Sequence, residues 1–206
     1  MKTYLSTTPY TGAAASLMVI LNNFDPSFEL SRENEFDIWR ESAPFPIRGC
    51  SIFGLALYAH KQGLDATVVV GNPEFCYPRY RFKRYKKIDV DIARFATEIM
   101  HRKCEKAGIA IEEHDFSLED VKKRLAEDCI LLLRLDAGYI RDGASVLDAN
   151  YYTVWDYQDG HFIVMDPKEG EKKIPEAEVQ TAFDAVTERC KRDHKMIVFG
   201  PENRKE

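Results

Sequence analysis

Two loop-to-helix junctions carry the residues best placed for nucleophilic chemistry. In the run from Gly49 to Gly54, Cys50 falls at the start of a predicted helix. Free backbone N–H groups and the helix dipole favour negative charge there, and so a thiolate. The alternative is a small cysteine in the core, the usual place for a free thiol. The other junction, Thr8 to Leu17, puts Gly12 and three alanines where a nucleophile would be activated, and none of them has a reactive side chain. Thr11 and Ser16 carry hydroxyls, but no neighbour in sequence supplies a base. Thr11 reads as the helix N-cap, a role threonine favours. The bases that could serve Cys50 are His161, at the turn after Asp159, and His114. Asp166, before Pro167, could orient a histidine or cap a turn.

Other chemistries have less support. The five histidines are scattered without metal-ligand spacing, and the five cysteines are widely spaced with no CxxC pair. No metal and no cofactor is therefore expected, and the cysteines read as reduced thiols of a cytoplasmic protein. The N-terminus has no basic segment followed by an apolar run, and no stretch has the ~20 apolar residues of a membrane span. Net charge is −5, which argues against a dedicated nucleic-acid binder. One stretch, from Phe75 to Lys87, runs the other way. It interleaves Arg79, Arg81, Lys83, Arg84, Lys86 and Lys87 with five aromatic residues. That pattern suits single-stranded nucleic acid or an acidic partner, or equally an edge strand whose basic residues discourage pairing.

The elements that must position these residues follow from periodicity and punctuation. With 206 residues, 45% of them hydrophobic, the chain can bury one substantial core. Helices are predicted over 12–24, ended by Asp25 and Pro26, over 32–41 after Ser31, and over 50–62 before Gly63. A strand is predicted over 66–70 and a long amphipathic helix over 89–107, closed by Gly108. The C-terminal half changes character. A short strand over 109–111 and a helix opened by a Ser117/Asp120 capping box precede a buried strand over 130–135. Strands 151–157 and 161–165 join at Gln158, Asp159 and Gly160, a strong hairpin signal. A helix over 176–190 and a strand over 196–199 complete the order. Helices first and hairpin-connected strands later predict an α+β fold with an antiparallel sheet.

Taken together, these pieces resemble the cysteine peptidase-like family related to bacteriocin-processing (double-glycine) peptidases, which has a papain-like fold. The family opens its first helix with Tyr-Thr-Cys-Gly-Pro-Ala-Ser-Leu, where this chain reads Tyr10-Thr-Gly-Ala-Ala-Ala-Ser-Leu17. An acidic-Trp-Arg-Glu segment is matched by Phe36 to Glu41. The family's Gly-Cys-Ser-Pro-Tyr-Gly-Leu-Ala-Leu is matched by Gly49 to Leu57. A His-Trp-Val-Val strand, a turn and an Asp-Pro are matched by Asn150 to Val154 and by Asp166 and Pro167. The resemblance implies a single papain-like domain, with a helical lobe over about 1–108 and a sheet lobe over about 109–200. It places the family's nucleophile on Gly12, its general base on Asn150, its orienting acid on Asp166 and its oxyanion-hole glutamine on Ser6.

Acyl transfer by a cysteine needs a thiolate, an imidazole and an oxyanion donor. Glycine, asparagine and serine supply none of them in those roles. The expectation is therefore a catalytically inactive peptidase-like protein. It would bind a peptide, a small molecule or another protein in the former cleft, with Tyr10, Thr11, Tyr151 and Asp166 as candidate contacts. The alternative is an amide hydrolase or acyltransferase with its nucleophile relocated to Cys50, served by His161 or His114.

Overall fold

The chain alternates between residues that stop helices and residues that pack them, and the computed structural model follows that punctuation. It describes residues 1–75, 77–78, 84–141 and 147–203. Three helices come first, α1 (Gly12–Phe24), α2 (Arg32–Ser42) and α3 (Ile52–Lys61). They are followed by β1 (Thr67–Val70), α4 (Lys87–Ala107) and β2 (Ala110–Glu113). Then come α5 (Leu118–Ala126), β3 (Ile130–Asp136), the short α6 (Ala137–Ile140), β4 (Ala149–Gln158), β5 (His161–Asp166), β6 (Gly170–Pro175), α7 (Glu176–Glu188) and β7 (Lys195–Phe199).

The local signals act as their chemistry requires. Ser31 Oγ accepts from Asn34 N–H at the start of α2. The Ser117/Asp120 pair closes a reciprocal capping box on α5. Asp159 and Gly160 both take positive φ between β4 and β5, the backbone a tight two-residue hairpin turn needs. Removing the Ser117 hydroxyl takes away one of the two acceptors of the Asp120 N–H, the other being Ser117 O, and breaks the reciprocal box. Ser117→Ala is expected to cost about 1 kcal/mol, read as a lower urea midpoint at unchanged slope.

The seven strands form one sheet in the order β2-β1-β7-β3-β4-β5-β6. Every neighbouring pair is antiparallel except β1 with β2. The class is α+β, as the order of elements predicts. Strand β1 lies between helices of the N-terminal half yet joins the sheet, and β6, unmarked by any apolar alternation in its sequence, extends the hairpin.

The buried strand β3 explains the layering. All seven of its residues are buried, with alternate side chains on opposite faces. Ile130 and Leu132 join Ile197 and Phe199 against α1 and α3. Leu131, Leu133 and Leu135 face the other core with Val121 of α5 and Val179 and Phe183 of α7. No helix among the described residues is long and apolar enough to cross a membrane. Of the basic stretch, Arg79, Arg81 and Lys83 lie outside the described residues, as does Cys76.

Candidate active site

Helix α1 is locked on β4 by reciprocal bonds. Ser16 Oγ donates to Tyr151 O at 3.0 Å, and Thr153 Oγ1 donates to Ser16 O at 2.9 Å. These fix the start of α1 against the start of β4. A β-carbon built on Gly12 would lie 2.9 Å from Asn150 Nδ2, 3.5 Å from Asn150 Oδ1 and 3.3 Å from Pro167 Cγ. Ser6 N–H donates to Pro167 O at 2.6 Å, and the buried Ser6 Oγ has no partner among the described residues. Residues 6, 12, 150 and 167, distant in sequence, thus meet at one helix end.

The space there is filled rather than open. Gly12 is buried under Asn150 and Pro167. Asn150 turns its Oδ1 back to accept from Tyr151 N–H at 2.9 Å. Asp166 is engaged elsewhere. Its two oxygens accept from Arg141 Nε at 2.6 Å and Nη2 at 2.7 Å, a bidentate pair, and Oδ1 also accepts from Lys168 N–H. An aspartate held in that way has its oxygens directed at a guanidinium, not at residue 150.

Thr11 stands at the N-cap position of α1 but makes no cap bond with its side chain, so the capping role expected for its hydroxyl is not the one it fills. The hydroxyl instead donates to Glu35 Oε1, in a very short contact, and shares a hydrogen bond with Thr8 Oγ1 at 2.8 Å. Glu35 is fully buried on α2 and also accepts from Tyr4 OH, Thr7 N–H and Thr7 Oγ1. Burial and the carboxylate beside it push the Tyr4 phenol up to about 12. This carboxylate ties the N-terminal segment to the start of α1, and sequence reasoning missed it. The signal was there. Glu35 shares a helical stripe with Ile38 and Ser42, all three buried.

Of the four candidate ligand contacts, only Tyr10 reaches the surface. Thr11, Tyr151 and Asp166 are buried with internal partners, Glu35, Arg134 and Arg141 respectively. Tyr10 belongs to an aromatic shelf. Its ring lies 5.1 Å from that of Trp39, which meets Phe45 at 5.4 Å and Phe36 at 5.8 Å. Arg48 covers Tyr10 at 5.4 Å, and Trp39 Nε1 donates to Arg48 O. Phe45 is 47% exposed.

Cys50 is half-buried and free. Burial pushes its thiol up to about 12, while a hydrogen bond from the Ala14 backbone pulls the other way. His161 is bonded through Nδ1 to Asp159 O in the hairpin turn, and His114 sits between Asp115 O and Glu112. Neither histidine is joined to Cys50 by a hydrogen bond. A separate cavity of about 590 Å3 beside β1, β2 and β7, lined in part by Cys129, His60 and Arg124, includes none of the residues at the start of α1. Among the described residues no group of histidine, cysteine and carboxylate side chains is arranged to hold a metal ion.

No curated protein matches the sequence. The crystal structure of the Pseudomonas avirulence protein AvrPphB aligns over 92% of this chain and 89% of its own, at 12% identity and a TM-score of 0.28. Residues 1–204 match the Peptidase_C39 like family, and the chain belongs to that family.

Proposed function

We propose that this peptidase-like protein binds a peptide or protein segment without cleaving it. The observation that carries the reading is Gly12. The helix end that would activate a nucleophile bears no side chain there, and Asn150 and Pro167 occupy the space above it. An amide has no basic nitrogen at neutral pH, so Asn150 takes no proton from an attacking group. The surface left for recognition is the Tyr10, Trp39 and Phe45 shelf beside the filled centre, with Arg48 at its edge. Aromatic faces of this kind, together with an arginine, are what peptide contacts favour.

A second reading rests on Cys50. The Ala14 backbone favours the Cys50 thiolate, so a relocated nucleophile would have one stabilising donor. Burial opposes ionisation more strongly, and the two histidines are committed to other partners.

Incubation with a mixed peptide pool separates the readings. No cleavage is expected, and Cys50 should alkylate slowly at neutral pH because little of it is thiolate. Binding should quench tryptophan fluorescence, an effect lost in Trp39→Ala. Cleavage that vanishes in Cys50→Ala, with an unchanged circular dichroism spectrum, would give the site to the relocated nucleophile.

A further inference from the structure

Helix α4 is apolar on two opposite faces, and the fold uses one of them. The packed face carries Val90, Ala93, Thr97 and Cys104, all buried. Val90 and Ala93 cluster with Ile47, and Cys104 Sγ donates to Phe53 O of α3 at 3.3 Å. The other face carries Ile88, Ile92 and Phe95, which are 60%, 47% and 59% exposed. Spacings of four and three residues set them on one stripe of the helix, and Ile99, half-buried, continues it. Three of the six large exposed hydrophobic side chains among the described residues thus share one helix face. Contiguous apolar surface of this kind marks a contact with another molecule.

The charges beside the stripe say what that molecule is. Inward from the N-terminal end of α4 come Lys87, Asp89 and Asp91; inward from the C-terminal end come Glu105, Lys103 and Arg102. The two series are opposite in sign, step for step. At 3.6 residues per turn, Asp91 and Arg102 follow one edge of the stripe and Asp89 and Lys103 the other. In two antiparallel copies each edge meets its own counterpart. With the two-fold axis at Ala96, Lys87 faces the partner's Glu105 and Asp89 faces the partner's Lys103. Asp91, which also holds Arg94 of its own helix at 3.2 Å, lies within one residue of the partner's Arg102. Every such pair occurs twice. The like pair, Lys86 with the partner's Lys106, falls at the outermost position, beyond the stripe. A parallel arrangement would set like charges side by side along the whole helix.

We propose that two copies of this chain associate through α4, antiparallel about a two-fold axis at Ala96, with Ile88, Ile92 and Phe95 of each interleaved. The same patch then serves both partners, as a closed two-fold contact requires. The apolar stripe supplies the attraction, and the charges along its edges set the orientation, as they do between coiled helices. A lipid surface fits less well, because a membrane-bound helix carries mainly lysine and arginine beside its apolar face, whereas both signs flank this one. One helix pair covers less than the ~800 Å2 per partner of a standard interface, so monomer and dimer should exchange with concentration.

Sedimentation equilibrium of the full chain over a range of concentrations tests this. The mass should rise reversibly from one chain to two and stop there. Phe95→Ser, at an exposed position, should stay monomeric where the wild type is half dimer. The charge order gives a sharper test. Arg102→Glu sets two like pairs against the partner's Asp91, and Asp91→Arg sets two against the partner's Arg102. Each variant alone should dimerise roughly tenfold more weakly. Mixed in equal amounts they should recover the wild-type affinity, because every substituted side chain then meets its opposite. Amide exchange of the wild type at high and low concentration needs no variant to fold, and the slowing should fall on α4. A mass of one chain at every concentration, dimers that survive Phe95→Ser, or no recovery on mixing would overturn the proposal. So would a monomeric chain that sediments with anionic phospholipid vesicles through Phe95, which would give the stripe to a membrane.

Discussion

Arg141→Met is expected to lower the unfolding free energy by about 3 kcal/mol or more. Asp166 has no exposed side-chain surface and the Arg141 side chain is 13% exposed, so the pair has already lost most of its hydration. Removing the guanidinium leaves the Asp166 carboxylate buried with, among the described residues, the Lys168 N–H as its remaining hydrogen-bond donor. An uncompensated buried charge is the costly outcome; replacing both partners is not. The double variant Arg141→Met, Asp166→Asn should therefore be more stable than Arg141→Met alone, and its loss smaller than the sum of the two single losses. Urea unfolding at pH 7 measures all three. Near-equal midpoints for Arg141→Met and the wild type would mean that the bidentate pair is not holding β5 to the segment after α6. No variant of the set should acquire peptide hydrolysis, because freeing Asp166 creates neither a nucleophile nor a base.

The second large effect concerns the filled centre. Gly12→Cys should fold, because the close neighbour that its β-carbon meets is the end of a side chain, Asn150 Nδ2, which can rotate away. The new thiol would stand at the start of a 13-residue helix, where the dipole and free N–H groups lower its pKa from ~8.5. Adding Asn150→His places an imidazole against it and should lower the pKa further, to below about 7. Alkylation at residue 12 near neutral pH should then be roughly tenfold faster than for an ordinary cysteine. Turnover should stay poor for two reasons. Ser6 offers no amide donor for an oxyanion, a loss that typically costs ~100-fold or more. Asp166 is also bound to Arg141, so nothing orients the imidazole. The pH profile of alkylation at residue 12, mapped by mass spectrometry, is the measurement. Identical profiles for Gly12→Cys and the double variant, both at the free-cysteine value, would show that residues 12 and 150 do not communicate.

How far the site could be read from the sequence depends on which interactions are local. The start of α1 at Gly12, the two serine caps, the positive-φ turn at Asp159 and Gly160 and the left-handed glycine after α4 each depend on a few consecutive residues. Side-chain type and spacing dictate these directly. The alternation and apolar runs that define β3, β4, β5 and β7 are equally local, and they are where periodicity placed them. Strand β6, with its run of charged residues, carries no such pattern. It forms because β5 offers an edge and Gly170, at φ 88°, turns the chain back along it.

The functional assignments of individual residues were decided at longer range. Asp166 was legible as an acid beside a turn, but its partner, Arg141, lies 25 residues away with no pattern linking the two. Thr11 was legible as an N-cap, and the position is right. Its hydroxyl goes to Glu35 because packing of α2 on α1 brings a buried carboxylate within reach and outcompetes the local bond. Cys50 was legible as a cysteine at a helix start. What sets its chemistry is enclosure, which the sequence does not display and which raises its pKa against the pull of the helix. The sequence by itself determined the elements other than α6 and β6, their order and the absence of a nucleophile at residue 12, because those depend on residue identity and neighbours. Only the tertiary structure decided that Asn150 and Pro167 close over Gly12, that Arg141 claims Asp166, and that Glu35 takes the Thr11 hydroxyl. Each of these is a meeting of distant segments, fixed by sheet register and helix packing rather than by any local preference.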